Sequence, residues 1–267
     1  MATHRLTDMP KEALAAIESL TGAVTKTEML SAGLNSEIAA RLHCGNDTIF
    51  IKGMRSDHPR VWTQRREADI NPHTEGLAPK LLWHIKQDGW DLLGFEDLDG
   101  EHVDYSPGSA HLPLVVHALQ TLAGVTAPSS VELKTMPSRM SAYVDRDSGD
   151  LHLFAGSSLL HTDWKPDNVL VKDGEVRVVD WAWASSGAAW IDPALWIIWL
   201  IASGHTTEQA EALASQHPVW SHAPVHGINA FARAQQRLWE SIARVDAPDE
   251  WTHTMHNAAK AWAAHRS

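Results

Sequence analysis

The sequence predicts an α+β fold in two parts, a small antiparallel sheet lobe and a larger, mainly helical lobe. Three observations carry the prediction. Gly33-Leu34-Asn35, Gly45-Asn46-Asp47 and Asp88-Gly89 cut residues 24–98 into short apolar runs, the punctuation of paired antiparallel strands. Beyond Asp192, apolar residues recur at helical spacing in 193–203, 207–216, 227–243 and 249–264, as half-buried helices require. Between the two lies "LLHTDWKPDNVLV" (159–171), which crowds two carboxylates, an amide, a lysine and a histidine between apolar runs. A plain connection needs only turn residues.

From the N-terminus, the "PKEALAAIESL" segment joins helical periodicity to good helix formers and predicts a helix over 9–20. A β-meander follows, with strands near 24–31, 36–43 and 47–53. "HPRVWTQRREADI" reads as a helix with Pro59 in its first turn. "KLLWHIKQDGWDLLGFEDL" reads as a hairpin about Asp88-Gly89, which completes five antiparallel strands with one inserted helix. After "DLDGEHVDYSPGS" the character changes: "HLPLVVHALQTLAGV" is helical, 125–150 shows no clear pattern, and "NVLVKDGEVRVVDW" is a hairpin turning at Asp173-Gly174. The predicted domains are 1–98 and 99–267.

Composition excludes several classes of function. The chain of 267 residues carries a net charge of −11, whereas nonspecific nucleic-acid binding needs a basic surface. The longest apolar run, Ala194 to Ala202, is too short to span a bilayer and reads as a core helix. The N-terminal residues show no apolar signal core, and a lone cysteine, Cys44, fits a reducing compartment. A cytoplasmic protein with no membrane and no nucleic-acid partner is expected. Residues 181–267 hold 5 Lys/Arg against 7 Asp/Glu, few acids for a strongly polycationic ligand.

The polar loop permits specific chemistry. Asp163 and Asn168 lie in the loop itself, and the hairpin that follows folds Asp180 back toward it. Two oxygen donors, Asn168 and Asp180, suit Mg²⁺, a hard cation that keeps waters and shares substrate phosphates. A third, non-ligating carboxylate, Asp163, can orient a hydroxyl and take its proton late in transfer.

The order H161-T-D-W-K-P-D-N168 followed by D180-W-A resembles the protein-kinase pattern H-R-D-x-x-x-x-N…D-F-G. The D-W-A triplet and the short chain resemble the aminoglycoside phosphotransferase family of small-molecule kinases. The resemblance implies a bilobal protein-kinase-like fold, ATP and Mg²⁺ as cofactors, and ATP between the lobes. It also implies phosphoryl transfer to a small-molecule acceptor with a free hydroxyl. Carried over by position, Asp163 becomes the catalytic base, Lys165 a lysine near the transferred phosphate, and Asn168 and Asp180 the metal ligands, with His161 fixing the loop. Lys52 on the third strand and Glu67 on the inserted helix become the phosphate-orienting pair. "SAGLNSE" (31–37) resembles the nucleotide-covering loop, with Ser36 and backbone N–H groups on phosphate. "GFEDLDG" (94–100) falls at the lobe junction, where Glu96 to Leu98 would offer backbone groups to adenine. The acceptor implied first is an antibiotic or other natural product. The alternatives are a metabolic kinase of the choline, amino-alcohol or sugar type, and a kinase-like nucleotide-binding protein without transferase activity.

Other residues have plainer readings. Asp192 before Pro193 fits a helix N-cap. Asp167 reads as a solvated loop residue and Cys44 as a small core hydrophobe. His152 and His161 read as polar core residues, and no H-E-x-x-H motif points to zinc. Of 13 tryptophans, Trp196 and Trp199 fit core packing, whereas Trp183, Trp190 or Trp220 would suit an aromatic wall for an acceptor.

Overall fold

Two turns, at Gly45 and at Asp88-Gly89, organise the first part of the molecule: Gly45 has φ +63, Asp88 +47 and Gly89 +78, the left-handed backbone that tight hairpins need. The protein is described here from a computed structural model covering residues 4–30, 36–244 and 249–267. The chain divides into two compact units, residues 1–100 with 177–182 and residues 101–176 with 183–267.

In the first unit, helix α1 (Lys11–Thr21) precedes strands β1 (Val24–Met29), β2 (Ile38–Cys44) and β3 (Asp47–Arg55). Helix α2 (Trp62–Ile70) and strands β4 (Leu81–Gln87) and β5 (Trp90–Glu96) follow. The five strands form one antiparallel sheet in the order β1-β2-β3-β5-β4. Ala13 and Ile17 of α1 pack on Ile38, Ala40, Leu42, Cys44, Ile51, Trp90 and Leu92. Each buried Ile or Leu side chain contributes about 1.5–3 kcal/mol. Successive strand side chains alternate faces, so Ile51 joins this core while Lys52 points to the other face of the sheet. Gly94 is required by close approach: a Cβ there would lie 2.2 Å from the Trp83 indole.

The second unit contains β6 (Glu101–His102), α3 (Leu112–Ala123), β7 (Lys134–Thr135), α4 (Met136–Met140), β8 (Ser158–Leu160) and β9 (Val169–Lys172). Strand β10 (Glu175–Val178) carries the chain from this unit into the first. It returns as β11 (Ser185–Gly187), then α5 (Ile191–Ala202), α6 (Thr207–Ala214), α7 (Pro218–His222), α8 (Val225–Ala243) and α9 (Glu250–His265). Strand β11 lies between β7, parallel, and β8, antiparallel. Phe154, Trp190 and Phe231 meet edge to face with centroids 5.3 to 6.2 Å apart, the geometry that ring quadrupoles favour. The apolar run at 194–202 is the buried heart of α5, and no described helix is long and apolar enough to cross a membrane.

Several expectations are corrected. Residues 58–61 form a turn held by the Val61 N–H on the His58 carbonyl at 2.9 Å, so α2 begins at Trp62 and Pro59 precedes it. Trp190 belongs to the Phe154–Phe231 cluster and is no acceptor wall. His152 is exposed. Asp192 is no N-cap: α5 starts at Ile191 with Trp190 at the cap position, and the Asp192 carboxylate is used elsewhere.

Candidate active site

Lys52 lies within β3, opposite Leu93 of β5 and Ala39 of β2. Helix α2 turns Thr63, Gln64, Glu67 and Ile70 inward, the i, i+3, i+4 stripe of a packed helix. These two registers bring Glu67 Oε2 to 2.5 Å from Lys52 Nζ. Asp180, in the segment of the first unit that follows β10, places Oδ1 at 3.5 Å from the same nitrogen. That segment is anchored by the Val178 N–H on the Leu77 carbonyl (2.6 Å) and by the Trp181 indole N–H on the Val178 carbonyl (2.8 Å). Asp180 has φ +64, a left-handed conformation that aspartate tolerates better than most residues.

The electrostatics follow from two carboxylates around one ammonium. Burial alone would pull the Lys52 pKa down, but Glu67 and Asp180 outweigh it and hold the ammonium charged. Burial, aided by Asp180, pushes the Glu67 carboxyl up against the opposing pull of Lys52 and a Trp181 backbone hydrogen bond.

In the second unit the 161–168 loop is held by hydrogen bonds. The buried Asp192 carboxylate accepts the backbone N–H groups of His161 (2.8 Å) and Thr162 (2.9 Å). Its pKa is raised by burial, with the His161 ring and these N–H groups opposing. His161 is fully buried, and its Nδ1 accepts the Asp163 N–H at 3.2 Å, as expected of a residue that fixes the loop. Asn168 donates Nδ2–H to the Asp163 carbonyl (3.2 Å) and to Asp163 Oδ2 (3.0 Å). That orientation turns the Asn168 amide oxygen away from Asp163, as the available oxygen donor. Tyr105, buried beside this loop, donates its hydroxyl to the Trp164 carbonyl at 3.0 Å; burial, then the Asp163 charge, pushes its pKa well up.

The structure therefore joins Lys52, Glu67 and Asp180 in one unit, and Asp163 and Asn168 in the other. Lys165 is half-buried and precedes the short turn Pro166–Asn168, its carbonyl accepting the Asn168 N–H at 2.9 Å. Asp167 is exposed. Ser36 is half-buried, but 31–35 of the expected covering loop lie outside the described residues. Glu96 ends β5 and gives its N–H to the Lys80 carbonyl (2.9 Å), while the Leu98 carbonyl accepts from Arg41 at 3.4 Å. Those two groups are engaged, which narrows what the 96–98 backbone offers a base. Two residues escaped sequence reasoning. Arg139 Nη1 meets Thr162 Oγ1, the Trp183 carbonyl and Ser185 Oγ at 2.7 to 2.9 Å, and the Asp192 clamp spans some thirty residues. The Asp-Pro pair was the only local signal for either.

No protein-family model matches the sequence, and no curated protein matches it. Solved structures do match in fold. The aminoglycoside phosphotransferase APH(4)-Ia, as a thermostable mutant in ternary complex with AMP-PNP and hygromycin B, gives a TM-score of 0.64 at 16% identity over 96% of this chain and 98% of that one. Choline kinase LicA from Streptococcus pneumoniae gives 0.63 at 14% identity over 95% and 98%. Macrolide 2'-phosphotransferase MphH from Brachybacterium faecium gives 0.58 at 16% identity over 92% and 97%. The chain thus has the bilobal α+β, protein-kinase-like fold that aminoglycoside phosphotransferases share.

Proposed function

We propose that the protein is an ATP- and Mg²⁺-dependent O-phosphotransferase acting on a hydroxyl of a small molecule in the cytoplasm. The observation that carries the reading is the buried Lys52 ammonium held between Glu67 and Asp180, in a fold used by small-molecule kinases. A lysine made rigid and fully charged in this way orients nucleotide phosphates. Ser36 and the 96–98 backbone are the further candidates for nucleotide contact.

The donor set fits Mg²⁺. Asp180 supplies a carboxylate oxygen beside Lys52 and Asn168 an amide oxygen; both are hard ligands. Among the described residues no three His, Cys, Asp or Glu side chains cluster as a metal site, so the remaining ligands would be phosphate oxygens and water, as is usual for Mg²⁺. When bound, the cation would neutralise charge on the phosphates. Asp163, held by the His161 ring and by Asn168, aligns the acceptor hydroxyl and accepts its proton late in transfer. Lys165 neutralises charge on the phosphoryl group as it moves. Positioning and electrostatics supply most of the acceleration.

The acceptor is an antibiotic or another natural product, a reading supported by the hygromycin B complex of one matching structure and by the name of another, a macrolide 2'-phosphotransferase. A second reading, an amino-alcohol or sugar kinase, draws on the near-neutral 181–267 segment and the choline kinase match. A coupled ATP-consumption assay with and without Mg²⁺, over aminoglycosides, macrolides, nucleoside and peptide antibiotics, choline and simple sugars, tests both. Acceptor-dependent, Mg²⁺-dependent consumption supports the proposal and selects the class. Tight Mg·ATP binding without transfer to any acceptor would favour a nucleotide-binding protein that lacks transferase activity.

A further inference from the structure

We propose that Arg139 is a positioning residue for phosphoryl transfer, acting through a strained Thr162 on the backbone that carries Asp163; the inference rests on the phosphotransferase reading above. Thr162 has φ +70, a region where a β-branched residue is an outlier and persists only if its surroundings over-determine it. Three contacts do so. Its N–H donates to Asp192 Oδ1 at 2.9 Å, its hydroxyl donates to the Trp183 carbonyl at 3.1 Å, and the same oxygen accepts from Arg139 Nη1 at 2.7 Å.

Arg139 ties this residue to the segment downstream of Asp180. Besides Thr162 Oγ1, the Trp183 carbonyl at 2.8 Å and Ser185 Oγ at 2.9 Å lie within hydrogen-bond reach of the two Nη1 hydrogens, so one nitrogen sits among three oxygens drawn from both segments. Glycine would accept this φ without strain but would offer no hydroxyl. Threonine supplies the handle by which the guanidinium grips the loop. The next residue is Asp163, whose N–H is already on His161 Nδ1. A small rotation at Thr162 would therefore swing the carboxylate, and misplacement of a catalytic group by about 1 Å can cost about 10²-fold in rate.

The test is a double-mutant cycle on the full chain with Arg139→Gln, Thr162→Gly and the pair. The proposal expects Arg139→Gln to lower kcat at least about tenfold with KM for Mg·ATP held within about twofold. On the Thr162→Gly background the same substitution should cost less than about threefold, because the handle is gone. Arg139→Lys, which keeps the charge and loses the fork, should fall between wild type and Arg139→Gln. Equal losses in both backgrounds, or a loss of stability with kcat intact, overturn the proposal. If the wild type neither transfers to an acceptor nor hydrolyses ATP, the phosphotransferase reading fails by itself. The cycle is then read in the unfolding equilibrium: coupling of at least about fivefold between positions 139 and 162 keeps the Arg139–Thr162 brace, and additive effects remove it.

Discussion

In the first unit Lys52 is fixed by charge, with two carboxylates closing on one buried ammonium. In the second unit Asp163 is fixed by hydrogen bonds rather than by an ion pair: its N–H on a buried imidazole, an asparagine amide on its carboxylate, and a backbone clamped by Asp192. On the proposed function, the difference follows from what each group must do. A lysine that binds phosphate has to stay protonated, and paired carboxylates ensure that even in a buried site. A base that meets a hydroxyl has to keep an accessible oxygen, and hydrogen bonds to its backbone and to one carboxylate oxygen hold it while leaving the other.

Removing a partner should therefore hurt the charged region most. Lys52→Met leaves the buried Glu67 beside a partly exposed Asp180, and loss of one side of a buried pair costs about 3–5 kcal/mol. Urea denaturation at neutral pH reads this, and Mg·ATP affinity should fall in parallel. A mutant as stable as wild type would mean that the triad is solvated in solution.

Asp192→Asn probes the other region with a smaller effect. One carboxylate oxygen becomes an NH₂ group facing a backbone N–H, leaving a buried donor unsatisfied at about 1–3 kcal/mol. Amide exchange at residues 161 and 162 should quicken before the global unfolding rate changes. Uniform destabilisation with the loop still protected would show that Asp192 serves only the packing of α5.

The smallest effect lies in the first unit, apart from the Lys52 cluster. Asp91 is buried in β5 and ion-paired to His84 at 2.7 Å and Lys86 at 3.2 Å. Burial works against its charge, but these partners win and hold the carboxyl below its usual pKa. A depressed folded pKa contributes stability that is full above the unfolded carboxyl value and is lost as pH falls through the folded one. Asp91→Asn should flatten the acid limb of stability between about pH 5 and 3 and leave the neutral plateau nearly level apart from a constant offset. An unchanged acid limb would assign it to other carboxylates.

These regions also differ in how far they could be read from the sequence. The sheet was legible because its hairpins announce themselves: Asp88-Gly89 and Asp173-Gly174 all take positive φ, as such dipeptides do in tight turns. The Lys52–Glu67 contact was legible only through the family resemblance, which calls for a lysine on the third strand and a glutamate on the inserted helix; the structure brings the two together. The clamp on the catalytic loop was not. Arg139 lies in the 125–150 stretch, where no periodicity survives among short elements, and it reaches residues up to 46 positions away. Asp192 looked like a cap because Asp-Pro usually is one, yet Ile191 already belongs to α5, which frees the carboxylate for His161 and Thr162. Strain at Thr162 has no composition signal, since it arises from partners distant in sequence.

On the proposed function the two units divide the work, the first holding the nucleotide phosphates and the second performing transfer through Asp163. The most direct test is Asp163→Asn against wild type, with Mg·ATP affinity measured by calorimetry and transfer measured on an acceptor identified by the ATP-consumption panel. Asp163→Asn should lower kcat about 10²–10⁴-fold with Mg·ATP affinity within about threefold of wild type. Normal turnover by Asp163→Asn would contradict this division of work.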